Sequence, residues 1–379
     1  TTGVTMTATT GVPAGVTTIT GSAGDDTLRG DASSTINAGA GDDAIFGGSG
    51  NDTLNGEAGD DTVTSDLGTD TVNLGAGADT YSLTLDTHMT ALDAIDGGEG
   101  DDTLHTTASL TDTATGLATF KNFEILHVDA GATDTLTLTN FTNSTFTRFD
   151  IDDIGTGTLT LANIASGDMD VRLLVGASGD TIAMTRIADT TSDVANISNR
   201  ADNDTAAITA VSLVNEETIN ISTLSAAAPL DINSLVVNDA TALNLSGAGS
   251  IELTIDDTGG NNLIATIDAT GATGVVNVTN TSGDVAATFI GNATNGGAVT
   301  FEGGALGDVI NGSSANDARL DGNGGSDTIK GFGGNDLIIG GAGADTIYGG
   351  AGNDDITGGL GGDVIYLDGG TDEVNVGDD

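Results

Sequence analysis

In the last part of the chain an apolar side chain returns every nine residues, as Ile329, Ile338, Ile347, Ile356 and Ile365. The same beat runs near the other end through Ile45, Leu54, Val63, Val72 and Tyr81. Nine is not a helical period, and it is too long for plain strand alternation. One inward side chain per unit predicts a strand of about three residues and a turn of about six, two units closing one coil of about 18. Between about 106 and 300 the beat disappears and short alternating runs replace it: TLTLTNF, GTLTLANI, ETINIST, SIELTIDD and GVVNVTN. Alternation rich in Thr, Val and Ile predicts half-buried strands, and the Gly, Asn, Asp and Ser between them predict turns. No window holds a 3.6-residue apolar period over three turns, and Pro13 and Pro229 are the only prolines. The expected fold is all-β: a parallel β-roll or β-solenoid, with two repeat blocks flanking irregular solenoid coils. The pattern divides into an edge segment at 1–20, a first block with one isolated repeat at 21–105, irregular coils at 106–302 and a second block at 303–379.

The polar positions of the repeat are as strict as the apolar one. Each unit follows Gly-Gly-x-Gly-x-Asp-x-apolar-x, as in GGSGNDTLN (47–55), GEAGDDTVT (56–64), GGAGADTIY (340–348) and GGAGNDDIT (349–357). The first block opens on GSAGDDTLR (21–29) and a degenerate unit at 30–37, and GGEGDDTLH (97–105) stands alone after a break. Two weaker units, GGALGDVIN (303–311) and GSSANDARL (312–320), precede the second block, with an inserted residue at Asp321. Glycines permit positive φ and let backbone carbonyls converge. With two units to a coil, Asp336 stacks over Asp354 and Asp345 over Asp363. Each edge then carries a column of carboxylates one strand spacing apart, about 4.8 Å.

Composition turns that column into a chemical problem. The 379 residues include 56 acidic and 8 basic side chains, a formal charge of −48, and the acid is almost all aspartate. At 37% hydrophobic content the chain has enough apolar material to fold. Such a charge argues against nucleic acid or an anionic membrane as partner and in favour of cations. No stretch comes near the roughly 18 consecutive apolar residues that a membrane span needs. The absence of cysteine excludes disulfides and thiolate metal sites. The sequence begins at Thr1 without a signal peptide, which fits a processed or partial chain, or secretion directed from the other end. A hard divalent cation between turns resolves the repulsion. Calcium takes six to eight oxygens, whereas magnesium holds a tight octahedron with its own water and zinc prefers His or Cys, so calcium is the expected ion. Its affinity becomes folding energy, and the calcium-free chain is expected to be largely disordered.

These units resemble the calcium-binding nonapeptides of RTX proteins, over roughly 21–82, 97–105 and 303–375. The resemblance implies that the sixth-position aspartates are calcium ligands: Asp43, Asp52, Asp61, Asp70, Asp79 and Asp102 in the first block, and Asp327, Asp336, Asp345, Asp354, Asp363 and Asp372 in the second. The steps from Asp26 to Asp43 and from Asp308 to Asp327 differ by one residue from the regular step, so Asp26 and Asp308 fall out of register. FKNFEILHVDAGATDTLTL (120–138), EETINIST (216–223) and LIATIDATGATGVVNVTN (263–280) further resemble the irregular coils of RTX-type bacterial surface-layer proteins. That resemblance implies an extracellular structural protein, exported by a type I route to a bacterial cell surface. Its implied partners are copies of itself in a lattice or fibre, together with cell-surface glycan or lipopolysaccharide. Nothing in the sequence corresponds to the helical lipopolysaccharide anchor that the family usually carries.

An enzyme is not expected. The three histidines, His88, His105 and His127, are scattered, and neither His-Glu-x-x-His nor a strand-to-helix Gly-x-Ser-x-Gly is found. A polysaccharide lyase or epimerase usually needs Lys, Arg, His or Tyr to handle uronic acids, yet Lys121 and Lys330 are the only lysines, and Arg148, Arg172, Arg186 and Arg200 lie apart. The alternative is a calcium-stiffened spacer or ligand-binding segment of a large RTX adhesin.

Overall fold

The computed structural model describes residues 5–6, 17–83, 92–106, 120–129, 135–137, 141, 143–152, 158–165, 167–173, 181–186, 193–199, 206–227, 229–256, 263–280, 285–294 and 296–377. Among these every regular element is a β-strand, and each described strand pairing is parallel. The chain divides into two units, Thr1–Ala165 and Ser166–Asp379. Most of the edge segment at 1–20, and with it Pro13, lies outside the described residues.

In the first unit successive strands alternate between two sheets, so each coil lays one strand on either side. One side stacks Thr35–Ala40, Thr53–Ala58, Thr71–Ala76 and Ala94–Glu99. The other stacks Ala44–Phe46, Thr62–Thr64, Thr80–Leu83, Thr103–Thr106, Ile125–Val128 and Arg148–Ile151. Thr53 pairs with Thr71, the expected two-unit coil. Thr80 pairs with Thr103, so the coil lengthens where the nine-residue beat breaks. The isolated repeat at 97–105 therefore continues both sheets. The three-residue strands bury one apolar side chain each, Ile45 in Ala44–Phe46 and Val63 in Thr62–Thr64, whereas Thr71–Ala76 buries both Val72 and Leu74. Where the coils widen, Tyr81, Phe120, Phe123, Phe141 and Phe146 fill the added space edge to face.

The second unit shows the same logic at two widths. Thr218 pairs with Ala242 and Ala242 with Thr266, so these coils are longer than the two-unit coil of the repeats. Their strands bury two or three apolar side chains each, such as Ile219 with Ile221, or Ile251 with Leu253 and Ile255. Coils shorten through Thr288–Ile290 and Val299–Glu302, where Phe289 stacks on Phe301 at 4.6 Å across the core. By Thr328–Lys330 and Thr346–Tyr348 the two-unit coil is restored, and a single isoleucine per strand remains, Ile329 or Ile347. Within the second unit the irregular coils and the second repeat block thus share the same parallel ladders. Outward asparagines reinforce the wide coils: Asn244 donates to Asn220 and Asn220 to Asn196, each at 2.8 Å.

Among the described residues, Arg186 and Glu216 form a charged pair inside the second unit. Arg186 donates from Nε to Glu216 Oε1 at 2.6 Å and from Nη2 to Oε2 at 2.8 Å, with side-chain exposures of 1% and 2%. Burial raises the Glu216 pKa, and the guanidinium opposes that shift. Removing one member leaves a buried charge without compensation, so Arg186→Leu should cost about 3–5 kcal/mol. Urea unfolding of calcium-saturated protein measures it. A loss below about 1 kcal/mol would mean that Glu216 simply protonates or reaches water.

Candidate metal centre

The sixth-position aspartate stands immediately before each strand, at the corner of the coil. One of its oxygens, Oδ1, accepts the main-chain N–H from the equivalent corner one coil earlier. Asp43 N–H donates to Asp61 at 2.8 Å, Asp61 to Asp79 at 2.7 Å and Asp79 to Asp102 at 2.9 Å. On the opposite edge Ser34 donates to Asp52 at 2.7 Å and Asp52 to Asp70 at 2.9 Å. In the second block Asp327 donates to Asp345 at 2.8 Å and Asp345 to Asp363 at 3.0 Å, while Asp336 donates to Asp354 at 3.0 Å and Asp354 to Asp372 at 3.1 Å. All twelve aspartates named from the sequence lie in these columns.

The second oxygen is the unusual one. Among the described residues Oδ2 is buried and without a hydrogen-bond partner in Asp43, Asp52, Asp61, Asp70, Asp79, Asp102, Asp327, Asp336, Asp345, Asp354 and Asp363. An unsatisfied buried carboxylate oxygen is costly, and a regular series of them marks places where a cation belongs. Asp372 is half-exposed and shares only the Oδ1 bond. Asp26, Asp308 and Asp317 sit in the same columns, but each turns Oδ2 onto a main-chain N–H of its own turn: Ser22 at 2.5 Å, Gly304 at 2.9 Å and Ser313 at 2.8 Å.

The backbone at the second position of the unit separates the two groups. In every unit with an unpartnered Oδ2 that residue has left-handed φ, whether it is Gly39, Gly48 or Gly350, or a residue that resists it: Glu57 at 80°, Asp66 at 65°, Asn323 at 61° and Phe332 at 73°. Ser22, Gly304 and Ser313 are not left-handed. The left-handed turn points the N–H away from the carboxylate and leaves the oxygen open. A phenylalanine held there is strained, which the surrounding turn must offset.

Where the unit begins with glycine, oxygens converge beside several of the open carboxylates. A Cβ added to Gly47 would lie 2.7 Å from the Ser65 carbonyl oxygen of the next coil and 2.8 Å from Asp52 Oδ2. At Gly358 the same point is 2.8 Å from the Val376 carbonyl oxygen and 2.6 Å from Asp363 Oδ2. At these two positions a side chain would fill that space. A carboxylate and a carbonyl from the adjacent coil form an oxygen donor set for a hard cation. Burial pushes Asp61, Asp327 and Asp336 up to about 7, and Asp52 and Asp102 to about 6, with neighbouring carboxylates of the column adding to the shift and the accepted N–H bonds opposing it. These residues fit calcium, whose charge would hold every one of them ionised.

Sequence reasoning missed several members. Asp93 accepts from Asp70 N–H at 2.9 Å, and Glu124 takes the aspartate's role for Asp102 N–H at 3.0 Å. Asp93 lies nine residues before Asp102, the one signal that could have found it. In the wide coils Asp193 N–H donates to Glu217 at 2.6 Å by the same device. The histidines are less scattered than the sequence implied, because His105 and His127 pair in register on adjacent strands. His88 and Arg200 lie outside the described residues. Arg148 and Arg172 each bind an aspartate two residues away on the same strand, Asp150 and Asp170.

Stacked parallel coils with oxygen-lined corners define a calcium-binding β-roll. The RTX calcium-binding nonapeptide repeat (4 copies) family matches residues 14–34, 33–54, 46–81, 93–108, 317–347, 330–365 and 348–379, so both blocks are RTX repeats, and RTX repeats bind calcium. No curated protein matches the chain.

Calcium removal should abolish β-structure in the repeat blocks at neutral pH, and circular dichroism with a chelator reads it; an unchanged spectrum would contradict the site. Acid should partly substitute for calcium. The raised pKa values mean that folding without metal favours the protonated groups. Their stability contribution is complete below the unfolded value of 3.8 and lost as pH rises through about 6–7. Metal-free protein should therefore gain β-signal between pH 8 and pH 4, roughly, while calcium affinity falls over the same acid range.

Asp345→Ala and Asp317→Ala separate open from satisfied corners. The first removes an oxygen buried without a partner, the second one already bonded to Ser313. Asp345→Ala should shift the calcium midpoint upward severalfold, and Asp317→Ala much less at saturating calcium. Equal shifts would show that Oδ2 burial does not mark the ligands.

Proposed function

We propose that this protein is a non-enzymatic, calcium-dependent structural protein outside a bacterial cell, which assembles with copies of itself into a surface layer or fibre. RTX repeats are typical of secreted bacterial proteins, and the RTX roll is typical of non-enzymatic structural ones. No helix among the described residues is long and apolar enough to cross a membrane. The twelve sequence-named aspartates serve in this reading as carboxylate ligands, joined by main-chain carbonyls of the next coil. Calcium there supplies positive charge; the chain's own residues set the corner, exclude water from Oδ2 and lock the coils in register.

The observation that carries self-assembly is a second ladder of acid outside the first. Asp42 N–H donates to Asp25 Oδ1 at 3.1 Å, Asp60 N–H to Asp42 at 2.9 Å and Ala78 N–H to Asp60 at 2.8 Å, and these bonds lie on the exposed side of the turns. Calcium in the buried columns leaves these charges and most of the −48 in place. Two copies repel until cations screen or bridge the exposed ladders. Cell-surface glycan or lipopolysaccharide is a further partner that the surface-layer resemblance implies.

Assembly should therefore need more calcium than folding, giving two separate midpoints. Circular dichroism follows the first, and light scattering with electron microscopy follows the second across one titration. A folded monomer that persists at millimolar calcium and high protein concentration would refute the lattice and favour the adhesin spacer.

A further inference from the structure

Where the calcium corners of the first unit end, a different donor set begins. The strands Thr103–Thr106, Ile125–Val128 and Arg148–Ile151 are adjacent, with His105 beside His127 and His127 beside Asp150. The two imidazoles stack at 4.4 Å on the outward face. Just past the strands, Asp129 N–H donates to Thr106 O and Asp152 N–H to Val128 O, each at 2.9 Å, so the main chain fixes both carboxylates on that same face.

Asp129 reaches both rings. Its Oδ2 lies 2.8 Å from His105 Nε2 and its Oδ1 lies 3.2 Å from His127 Nε2. His127 Nε2 is shielded from solvent and that short approach lacks hydrogen-bond geometry, so the atom is buried without a hydrogen-bond partner. Asp152 Oδ2 is 4.0 Å from the same nitrogen. Asp150 is committed to Arg148 through two bonds of 3.0 Å and is not a donor here. One ligand atom from each of His105, His127 and Asp129 falls within a cluster 4.8 Å across.

We infer that His105, His127 and Asp129, with Asp152 as fourth donor, form a site for a divalent transition-metal ion of the zinc type, distinct from the calcium corners. Two imidazoles and two carboxylates suit a four-coordinate ion with bonds of about 2.0–2.2 Å, and such an ion would draw the four atoms inward. Calcium prefers an all-oxygen shell and is not selected by stacked imidazoles. The ion would tie three successive coils together at the point where Glu124 and Thr147 replace the calcium-bearing aspartates at the corner. A histidine–aspartate cluster that merely shares protons is the alternative, and it makes no metal demand.

Cobalt(II), a coloured substitute for zinc, added to the full chain in excess calcium distinguishes them. The expected result is one equivalent bound with the intense visible bands of a tetrahedral ion, displaced by zinc. His105→Asn and His127→Asn should each lose that step while keeping the calcium-dependent β-spectrum, and Asp345→Ala should keep it. Ring resonances of the three histidines in the unaltered protein give a check that needs no variant: one equivalent of zinc should shift His105 and His127 and leave His88 in place. Absence of a one-equivalent step, a step that survives both histidine variants, or a zinc shift confined to His88 would overturn the assignment.

Discussion

The regular repeats turn on one carboxylate oxygen that the protein buries and leaves unpaired at eleven of the described corners. Two carboxylates one strand spacing apart, about 4.8 Å, repel by about 3.5 kcal/mol at an effective dielectric of about 20, before desolvation is counted. A single isoleucine per short strand cannot offset a column of such terms. The corners therefore demand an ion, and the ion's affinity becomes the cohesion that the thin core lacks. The hydrogen bond to Oδ1 shows how far the chain goes by itself: it satisfies one oxygen with the preceding coil's N–H and reserves the other.

The wide coils solve the same stacking problem with apolar area. Their extra length leaves room for Ile219 beside Ile221, for asparagine ladders and for the buried Arg186–Glu216 pair. In these coils threonine or alanine takes corner positions, as Thr241 and Ala265 do. Coil length thus decides whether packing or ionic bonding holds the stack. The second unit passes from one regime to the other within a single pair of ladders, through Phe289 and Phe301.

The nine-residue beat made the fold, the coil length and the acid columns legible, because one apolar residue and one aspartate keep the same phase through each block. What it hid were features set by backbone conformation. Asp317 and Asp336 look alike as letters, yet Ser313 turns its N–H inward while Phe332 is forced left-handed. Asp93 was masked because no glycine-rich turn precedes it, and Glu124 because a longer acid fills an aspartate's place. The histidine pair became visible only in the lengthened coil that brings His105 beside His127, a spacing that means nothing until the local coil length is known.

The corner hydrogen bonds also give the stack a direction. In each block the donor belongs to the earlier coil and the acceptor to the later one, from Asp43 toward Asp61 or from Asp327 toward Asp345. A coil's turn is finished by the coil that follows it. Loss of a carboxylate therefore strands an amide on its N-terminal side and leaves the C-terminal neighbour's own amide bonded as before. Damage at one corner thus spreads unevenly, toward the N-terminal neighbour whose amide it strands.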